Sequence, residues 1–401
     1  MDDAQAPRRR RVMGPPAEHF FSPCPRGLEK LLSEELVGLG AQQPAVLPGG
    51  VAWQGNWRAA YRANLESRLA TRVLWQVAQT GYRREEDLYD CARAVAWERW
   101  FGVRQTLRAY TSAIDSPLKS LNFATLRIKD AVCDRFRDRF GRRPDVDTRA
   151  PDVRIHLFLE RSQATLYLDL SGEPLYKRGY KRAWTEAPLK ENLAAGILLL
   201  SGWDRSEPLY DPFCGSGTFL LEAAQMALGQ APGAARQFGF ERLGNFAERL
   251  WREVQARAQA QSQPVRPLPI FGSDADPDQV RGARLNLQAA GLSDAVTLAC
   301  VDVLASRPPA GPPGTMIANP PYGVRVGDQA SLAEFYPRLG DHLKQHYGGW
   351  RCDLFSGDPE LPRRIGLRAS RRIPLMNGAI DCRLYEYRIM TGNYDPRAAP
   401  A

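Results

Sequence analysis

The chain has few of the residues on which several kinds of functional site depend. Only four histidines occur among its 401 residues, and they form no catalytic or metal-binding pattern. Its seven cysteines are odd in number, scattered and without a Cys-x-x-Cys pair, which argues against both a disulfide framework and a zinc site. The sequence therefore predicts a protein that requires no metal.

Long hydrophobic runs are also missing. No apolar stretch approaches the roughly 20 residues that a membrane-crossing helix needs. The first 18 residues, with Arg8 to Arg11 in a row, lack the apolar segment of a signal peptide. We expect a flexible basic arm there, a cytoplasmic protein and no membrane partner. With 44% hydrophobic residues, the chain can bury a large core divided among two or three domains.

Positive charge is concentrated in the front half of the chain. Residues 1–182 contain 31 Lys and Arg against 22 Asp and Glu, whereas residues 183–401 contain 23 of each. A polyanion such as RNA would bind the basic half first. The alternative is a solvated face that is kept basic for solubility. The candidate RNA-binding residues are Lys129, Arg142, Arg143, Lys177, Arg178, Lys181 and Arg182.

The string Asn319-Pro320-Pro321-Tyr322 follows an apolar run, 315–318, that predicts a buried strand. Two prolines remove two backbone donors and fix φ, so the Asn319 side chain and the neighbouring carbonyls are free to accept hydrogen bonds. The exocyclic amine of a base suits such acceptors, and the Tyr322 ring can stack on the base. The alternative is a polar loop that ends a strand. We take these four residues as candidate catalytic residues.

A strand, a glycine turn and a helix are predicted between residues 208 and 224. Gly215 and Gly217 let the backbone approach a ligand, and the new helix offers free N–H groups. The dinucleotide fingerprint is incomplete, because Leu220 stands where a third small residue is needed and no acidic residue follows at the usual distance. Cys214, in this turn, is either a nucleophile or a small residue that the packing requires, and we favour the second role.

Acidic residues end the next two predicted strands. Asp274 can accept both ribose hydroxyls of an adenosine, and Asp302 is placed for an adenine amine. A helix cap or a solvated strand end explains any single Asp more simply. Suitable groups at four strand ends in order nevertheless favour one site at the carboxyl edge of a sheet. The candidate cofactor-binding residues are Asp211, Pro212, Phe213, Gly215, Gly217, Thr218, Asp274, Ala275, Asp302 and Val303, with Lys190 and Glu191 placed just before the first strand.

The motifs at 211–218, 272–277 and 319–323, with Asp302, together resemble class I S-adenosylmethionine-dependent methyltransferases of the amino-group type. The resemblance implies a Rossmann-like α/β domain whose parallel sheet is closed by an antiparallel hairpin. A hairpin predicted from Ile373 to Met390, with a type I′ turn at Asn377-Gly378, agrees with that fold. The resemblance also implies S-adenosyl-L-methionine as the cofactor.

The front half resembles the domains that precede such enzymes in bacterial RNA methyltransferases. A predicted helix over 122–143 and a hairpin over 153–170 are similar to a THUMP domain, an RNA-binding module of α+β type. The segment from Phe21 to Leu36 is similar to the ferredoxin-like opening of guanine-N2 RNA methyltransferases. The chain thus resembles the branch that methylates 23S rRNA. The alternatives are the tRNA branch, an adenine-N6 enzyme on DNA, and an inactive RNA-binding or assembly factor.

These resemblances divide the chain into segments. An insertion at 229–268 is predicted to hold one helix, and it has either a structural role or a contact with the substrate. The predicted segments are residues 1–18 (flexible basic arm), 19–75 (ferredoxin-like), 76–172 (THUMP), 173–206 (linker that caps the cofactor), 207–392 (methyltransferase) and 393–401 (tail).

Overall fold

Apolar residues at alternate positions build the front half into one seven-stranded sheet. Val153, Ile155 and Leu157 point to one side of their strand and share a core with Ile128 and Phe136 of a helix. The strand order is β2-β3-β1-β4-β7-β6-β5. The elements, in chain order, are β1 (Glu18–Pro23), α1 (Glu29–Leu39), β2 (Gln42–Leu47), β3 (Gly50–Gly55), α2 (Trp57–Glu66), β4 (Leu74–Gly81), α3 (Glu85–Ala94), β5 (Leu107–Ile114), α4 (Leu121–Phe140), β6 (Val153–Glu160) and β7 (Gln163–Asp169).

The structure is a computed structural model that describes residues 17–182, 189–321 and 329–392. Several parts of the sequence predictions lie outside these residues. They are residues 1–16 of the basic arm, residues 183–188 of the linker, Tyr322 and Gly323 of the motif at 319–323, and the tail at 393–401.

The predicted helix and hairpin of the front half are confirmed. Helix α4 ends at Phe140, three residues before the predicted end, because Gly141 takes a left-handed φ of 67°. Strands β6 and β7 form the antiparallel hairpin. The predicted border between residues 75 and 76 falls inside β4, which pairs with β1 on one side and β7 on the other. One continuous sheet therefore joins the two front segments.

The back half is a second seven-stranded sheet with the order β10-β9-β8-β11-β12-β14-β13. Strands β8 to β12 pair in parallel, and β14 is antiparallel to β12. This is the predicted Rossmann-like sheet closed by a hairpin. Its elements are α5 (Glu191–Ser201), β8 (Leu209–Asp211), α6 (Thr218–Ala227), α7 (Glu248–Gln261), β9 (Ile270–Asp274), α8 (Pro277–Ala289), β10 (Thr297–Cys300), β11 (Thr315–Ala318), α9 (Gln329–His346), β12 (Arg351–Ser356), α10 (Leu361–Arg364), β13 (Arg371–Asn377) and β14 (Ile380–Arg388).

The hairpin turn differs from the sequence prediction. Asn377 pairs with Ile380, so the central residues of the turn are Gly378 and Ala379 rather than Asn377 and Gly378. Only Gly378 has a positive φ, of 64°, whereas a type I′ turn needs positive φ at both central positions. The type I′ prediction is therefore wrong, although the hairpin itself is confirmed.

The insertion at 229–268 packs against the front half. The Tyr61 ring of α2 stacks on Phe240 with centroids 4.4 Å apart, and Trp251 of α7 meets the same two rings edge-on. The Phe240 amide also donates to the Leu170 carbonyl at 2.9 Å. Aromatic rings that are buried together contribute packing energy beyond the area they cover. Of the two roles left open for the insertion, these contacts supply the structural one, because they join the two sheets.

A buried ion pair joins the same halves at a second place. Glu222 of α6 accepts from the Arg178 guanidinium at 2.9 Å and lies 3.5 Å from the Arg68 guanidinium. The side chains of Glu222 and Arg178 are 0% and 1% exposed. Arg178 also donates to the carbonyls of Leu175 and Arg68. One carboxylate thus holds the loop after α2, the segment before α5 and the first turns of α6.

Across the described residues, no helix combines the length and the apolar character that crossing a membrane requires.

We predict that Glu222→Gln destabilises the protein strongly. The amide would leave two buried guanidinium groups without their carboxylate, and removal of one partner of a buried pair costs about 3–5 kcal/mol. The matched control is Glu248→Gln, because Glu248 pairs with Arg252 in an exposed position. Denaturant unfolding should show a loss of under about 0.5 kcal/mol for the control. Equal effects of the two substitutions would contradict the role given to Glu222.

Candidate active site

The predicted site residues meet at the carboxyl edge of the second sheet. Strands β8, β9 and β11 are parallel, so their last residues lie at one edge. Asp211 ends β8, Asp274 ends β9, and Asn319 follows the last residue of β11. The open crevice at such an edge is where parallel α/β sheets bind ligands.

The glycine turn brings the backbone into this crevice. Gly215 and Gly217 have φ values of 50° and 84°, which side chains rarely adopt. The Gly215 amide donates to Asp274 Oδ2 at 3.0 Å, and a Cβ at Gly217 would lie 3.2 Å from the Ala283 Cβ of α8. Thr218 then begins α6. Two strand ends are therefore fixed to each other through the turn.

Cys214 has the packing role that we favoured. Its side chain is buried in the main core, and burial raises the pKa of the thiol far above its usual range. A nucleophilic cysteine needs a lowered pKa. Its amide donates to the Ser273 carbonyl at 2.9 Å, which fixes the turn to β9.

Asp211 is a buried carboxylate. The residue is 1% exposed, and its Oδ1 accepts a hydrogen bond from the Phe213 amide at 3.1 Å. Burial raises the pKa of Asp211 well above its usual range, and the Asp274 carboxylate raises it further. Groups with such shifts cluster at functional sites, which makes Asp211 a candidate site residue. Pro212 is buried beside it.

Asp274 and Asp302 differ from Asp211 because solvent reaches them. The Asp274 oxygens accept amide protons from Gly215 and from Asp276, both at 3.0 Å. Each carboxylate oxygen has a second lone pair, so the side chain still has room for hydroxyl donors. Asp302 is exposed and caps the short 3-10 helix that Val303 begins, accepting the Leu304 amide at 2.8 Å. Ala275 is exposed in the bend after β9.

Asn319 has an unsatisfied acceptor. Its Oδ1 is buried and accepts no hydrogen bond from the described residues. Pro320 is buried behind it, and the Pro321 carbonyl accepts the Tyr336 hydroxyl of α9 at 2.7 Å. A buried acceptor without a donor costs about 1–3 kcal/mol. The bend thus holds Asn319 Oδ1 ready for a donor that arrives with a ligand.

Two residues that position this site were missed by the sequence analysis. Asn286 of α8 is 0% exposed; its Oδ1 accepts the Arg182 amide at 2.7 Å and its Nδ2 donates to the Ser216 carbonyl at 3.0 Å. It therefore ties the glycine turn to the segment before α5. Tyr336 supports the Pro-Pro bend. Both lie within amphipathic helices, where nothing in a single sequence separates them from core residues.

Lys190 and Glu191 require a correction. They were placed just before the first strand of the sheet, but an eleven-residue helix, α5, begins at Glu191 and separates them from β8. The Glu191 carboxylate is buried and pairs with Lys181 at 3.2 Å. Lys190 is exposed and lines a different cavity, together with residues of the front half. Their assignment to the cofactor has no support in this geometry.

The candidate RNA-binding residues divide into two groups. Arg178 and Lys181 are wrong as direct contacts, since Arg178 is 2% exposed in its ion pair and Lys181 is held against Glu191. Their position in a basic cluster of the sequence concealed their partners, which lie 44 residues further along the chain for Arg178 and 10 for Lys181. Lys129 and Lys177 pair with the neighbouring acids Asp130 and Glu173 at the surface. The candidates that the structure leaves exposed are Arg142, Arg143, Lys177 and Arg182.

No group of three His, Cys, Asp or Glu side chains that could hold a metal ion occurs within residues 17–182, 189–321 and 329–392.

We predict that Asp211→Asn changes how stability depends on pH. Folding raises the pKa of this carboxyl, so the stability it contributes is present at acid pH and is lost as pH rises through the folded-state pKa. The amide does not titrate and still offers an acceptor to the Phe213 amide. The midpoint of thermal unfolding of the variant, relative to wild type, should therefore be higher at pH 8 than at pH 5. Asp294→Asn, at an exposed position, is the control variant. If the difference in midpoint between Asp211→Asn and wild type is the same at both pH values, the burial argument is contradicted.

Three family models match the chain in order. A model for the RlmL ferredoxin-like domain matches residues 19–74, and a model for the THUMP domain matches residues 82–169. A model for the RMKL-like methyltransferase domain matches residues 178–386.

The chain is also similar to whole proteins. It is 43% identical over 375 residues to a ribosomal RNA large subunit methyltransferase K/L of Pseudomonas paraeruginosa. The aligned residues cover 91% of the chain and 52% of the relative. A protein of the same name from Syntrophotalea carbinolica is 40% identical over 391 residues, which cover 95% of the chain and 55% of the relative. The chain thus spans about half the length of these curated relatives.

Solved structures cover nearly the whole chain. One, described as a methyltransferase and crystallised with S-adenosylhomocysteine, is 30% identical with a TM-score of 0.84 and covers 94% of this chain and 99% of its own. Another, described as an N6-adenine-specific DNA methylase from Listeria monocytogenes, is 28% identical with a TM-score of 0.83 and covers 93% and 97%. The strand ends at Asp211, Asp274 and Asn319 thus lie in a protein that belongs to the RMKL-like methyltransferase family, with a ferredoxin-like and a THUMP domain in front of the catalytic sheet.

Proposed function

We propose that the chain transfers a methyl group from S-adenosyl-L-methionine to the exocyclic N2 of a guanosine in 23S rRNA. The observation that carries this proposal is the buried Oδ1 of Asn319, which has no partner among the described residues and lies at the same sheet edge as Asp211 and Asp274. An acceptor in that position fits an amine that is to be methylated. The names of the relatives that match most of the chain favour ribosomal RNA as the substrate.

The residues at the edge fit the proposed cofactor. Gly215 leaves the backbone open above the turn, because an added Cβ there would meet only Gln279 Oε1, at 3.8 Å, whereas Gly217 lets α8 pack closely against the turn. Asp274 offers lone pairs to ribose hydroxyls, and Asp302 offers them to an adenine amine. The buried Asp211 carboxyl, which has no cationic partner among the described residues, would gain one from the cofactor. When bound, the cofactor supplies an electrophilic methyl group on a sulfonium.

The protein's own part in the transfer is to position and polarise the amine. The lone pair of an aromatic amine is delocalised into its ring, which makes the nitrogen a poor nucleophile. Asn319 Oδ1 and the Pro320 carbonyl accept the two amine protons, which favours a more tetrahedral nitrogen with its lone pair directed away from the ring plane. Tyr336 fixes the bend through Pro321, so these acceptors need no rearrangement. A strong base is unnecessary because the proton leaves after transfer.

The base must leave its helix to reach these acceptors, since an exocyclic amine inside a duplex is sterically shielded. RNA is the proposed partner. Support comes from the THUMP match, the surplus of nine positive charges in residues 1–182, and the exposed Arg142 and Arg143 after α4. A cytoplasmic location is part of the same proposal, because ribosomal RNA is found there. Tyr322, which we propose stacks on the target base, lies outside the described residues.

We predict that Asn319→Ala lowers the rate of methyl transfer at least about a hundredfold, the usual effect of removing one preorganised group from a reacting centre. RNA and cofactor affinities should stay within a few-fold of wild type, because the amide acts on the amine during transfer. Single-turnover assays and binding titrations separate the two effects. Asn56→Ala, which removes a cap of α2 far from the site, is the matched control. Transfer within a few-fold of wild type would remove Asn319 from the mechanism.

The product tests the choice of base and of RNA. Incubation of unmodified 23S rRNA with the protein and labelled cofactor should yield labelled N2-methylguanosine after digestion and chromatography. The label in N6-methyladenosine would identify an adenine enzyme, and a label confined to tRNA would identify the tRNA branch. If the protein binds RNA but leaves every nucleoside unlabelled, it is a binding or assembly factor.

A further inference from the structure

A cavity apart from the crevice at Asp211, Asp274 and Asn319 opens at the junction of the two halves, on the carboxyl edge of the catalytic sheet. Its volume is about 400 Å³, within the usual range of ligand sites. Five separate parts of the chain form it: the loop between β1 and α1, the turn between β2 and β3, the segment before β4, the start of α5, and the turn between β13 and β14. Residues from both sequence halves therefore build one cavity.

The cavity carries positive charge. Arg26 and Lys190 both line it, both are exposed, and neither takes part in an ion pair among the described residues. Lys190 lies with its ammonium 5.2 Å from the centre of the Tyr176 ring. No carboxylate lines the cavity. The nearby Glu29 is occupied by the amides of Gly27 and Gly49, at 2.8 and 3.0 Å.

The start of α5 adds to this charge. Lys190 is the N-cap of this eleven-residue helix, and the Lys190 side chain makes no capping hydrogen bond. The first amides of a helix point their protons outward and carry a partial positive charge. An anionic group beside Lys190 would therefore meet a helix terminus as well as two cationic side chains.

One polar atom of a cavity-lining residue, Asn192 Oδ1, has no partner among the described residues. Asn192 is 1% exposed, and its Nδ2 donates to the Leu69 carbonyl at 3.3 Å and to Thr71 Oγ1 at 3.1 Å. Its Oδ1 accepts nothing from the described residues, although Asn192 lines the cavity. A buried acceptor of this kind calls for a ligand that donates a hydrogen bond.

The backbone around Arg26 is fixed in place. The Arg26 carbonyl accepts the Met376 amide of β13 at 3.2 Å. Gly27 has a φ of 95°, and a Cβ there would lie 2.6 Å from the Pro374 carbonyl oxygen. Only glycine allows this close contact between the front loop and the hairpin. The cavity is thus a built feature of the junction.

We infer that this cavity binds the ribose-phosphate backbone of the RNA substrate. A phosphate would lie between Arg26, Lys190 and the start of α5, and a ribose 2′-hydroxyl would donate to Asn192 Oδ1. The pairing of cationic groups with an unsatisfied acceptor separates RNA from DNA, because only the ribose 2′-hydroxyl offers the donor. Lys190 then acts on RNA rather than on the cofactor. This inference rests on the proposed function, since it assumes an RNA substrate.

The test compares charge variants of the full chain. We expect the double variant Arg26→Gln/Lys190→Gln to bind unmodified 23S rRNA about tenfold more weakly, and the slope of log K against log salt concentration to fall by about one. The control Arg249→Gln/Arg252→Gln removes two exposed positive charges from α7. Its slope should match wild type. Calorimetry should show unchanged cofactor affinity in both double variants.

A second arm tests the hydroxyl contact. Wild type should prefer the RNA transcript over the same transcript made with 2′-fluoro nucleotides, which cannot donate. Asn192→Ala should reduce this preference by about two- to tenfold, the value of one hydrogen bond. If this variant fails to fold in a thermal melt, the charge variants decide the question by themselves.

The outcomes separate the cavity from the function. A slope in Arg26→Gln/Lys190→Gln equal to that of the control, with wild type still binding and methylating rRNA, overturns the cavity assignment alone. Lost cofactor binding in that variant returns Lys190 to the cofactor and also overturns it. Wild type that neither binds nor methylates RNA overturns both proposals.

Discussion

The contact on which the arrangement of the two halves depends is the buried pair of Glu222 with Arg178, joined by Arg68. Glu222 lies one turn into the helix that follows the glycine turn, Arg178 lies in the segment before α5, and Arg68 lies in the front half. Removing charges from water is costly, and good geometry with additional hydrogen bonds must offset that cost. The Arg178 guanidinium meets this condition, since it also donates to two carbonyls. Because the Arg178 guanidinium bonds both Glu222 of α6 and the Arg68 carbonyl, it fixes where the front half lies relative to the glycine turn.

At the carboxyl edge of the catalytic sheet, by contrast, buried polar groups lack the partners that would offset the cost of burial. Among the described residues, the buried Asp211 carboxyl has no cationic partner and the buried Asn319 Oδ1 has no donor. Both arrangements cost stability, and under the proposed function a cationic cofactor and an amine would supply the partners. The surrounding structure holds them in place through the Gly215–Asp274 hydrogen bond and the Tyr336–Pro321 hydrogen bond. In sites of this kind, the protein is less stable than it would be with satisfied groups. In exchange, the groups that meet the ligand are already in position.

The sequence predicted the strands and their last residues well, for a physical reason. A buried parallel strand is a short apolar run, and the polar residue that ends it, such as Asp274 or Asn319, is visible without knowledge of its partners. The predicted bounds of β11, residues 315–318, agree with the structure. The polar groups whose partners lie far away in the chain could not be predicted. Arg178 looked like one of a cluster of RNA-binding cations, but its carboxylate is 44 residues away.

The same limit explains Lys190 and the hairpin turn. Lys190 precedes a helix whose direction depends on contacts with both halves, so its cavity could not be seen from the local sequence. At Asn377-Gly378 the preferred dipeptide was displaced by one residue, because the register of β13 and β14 decides which residues are central. Register is set by the buried faces of the strands as well as by turn chemistry.

The most direct test of the account is a crystal structure of the chain with S-adenosylhomocysteine. The account predicts ribose hydroxyls within hydrogen-bonding distance of Asp274 and the sulfur facing the Asn319 side chain. A cofactor product bound elsewhere, with Asp274 and Asn319 making no contact with its site, would contradict the assignment of the catalytic edge.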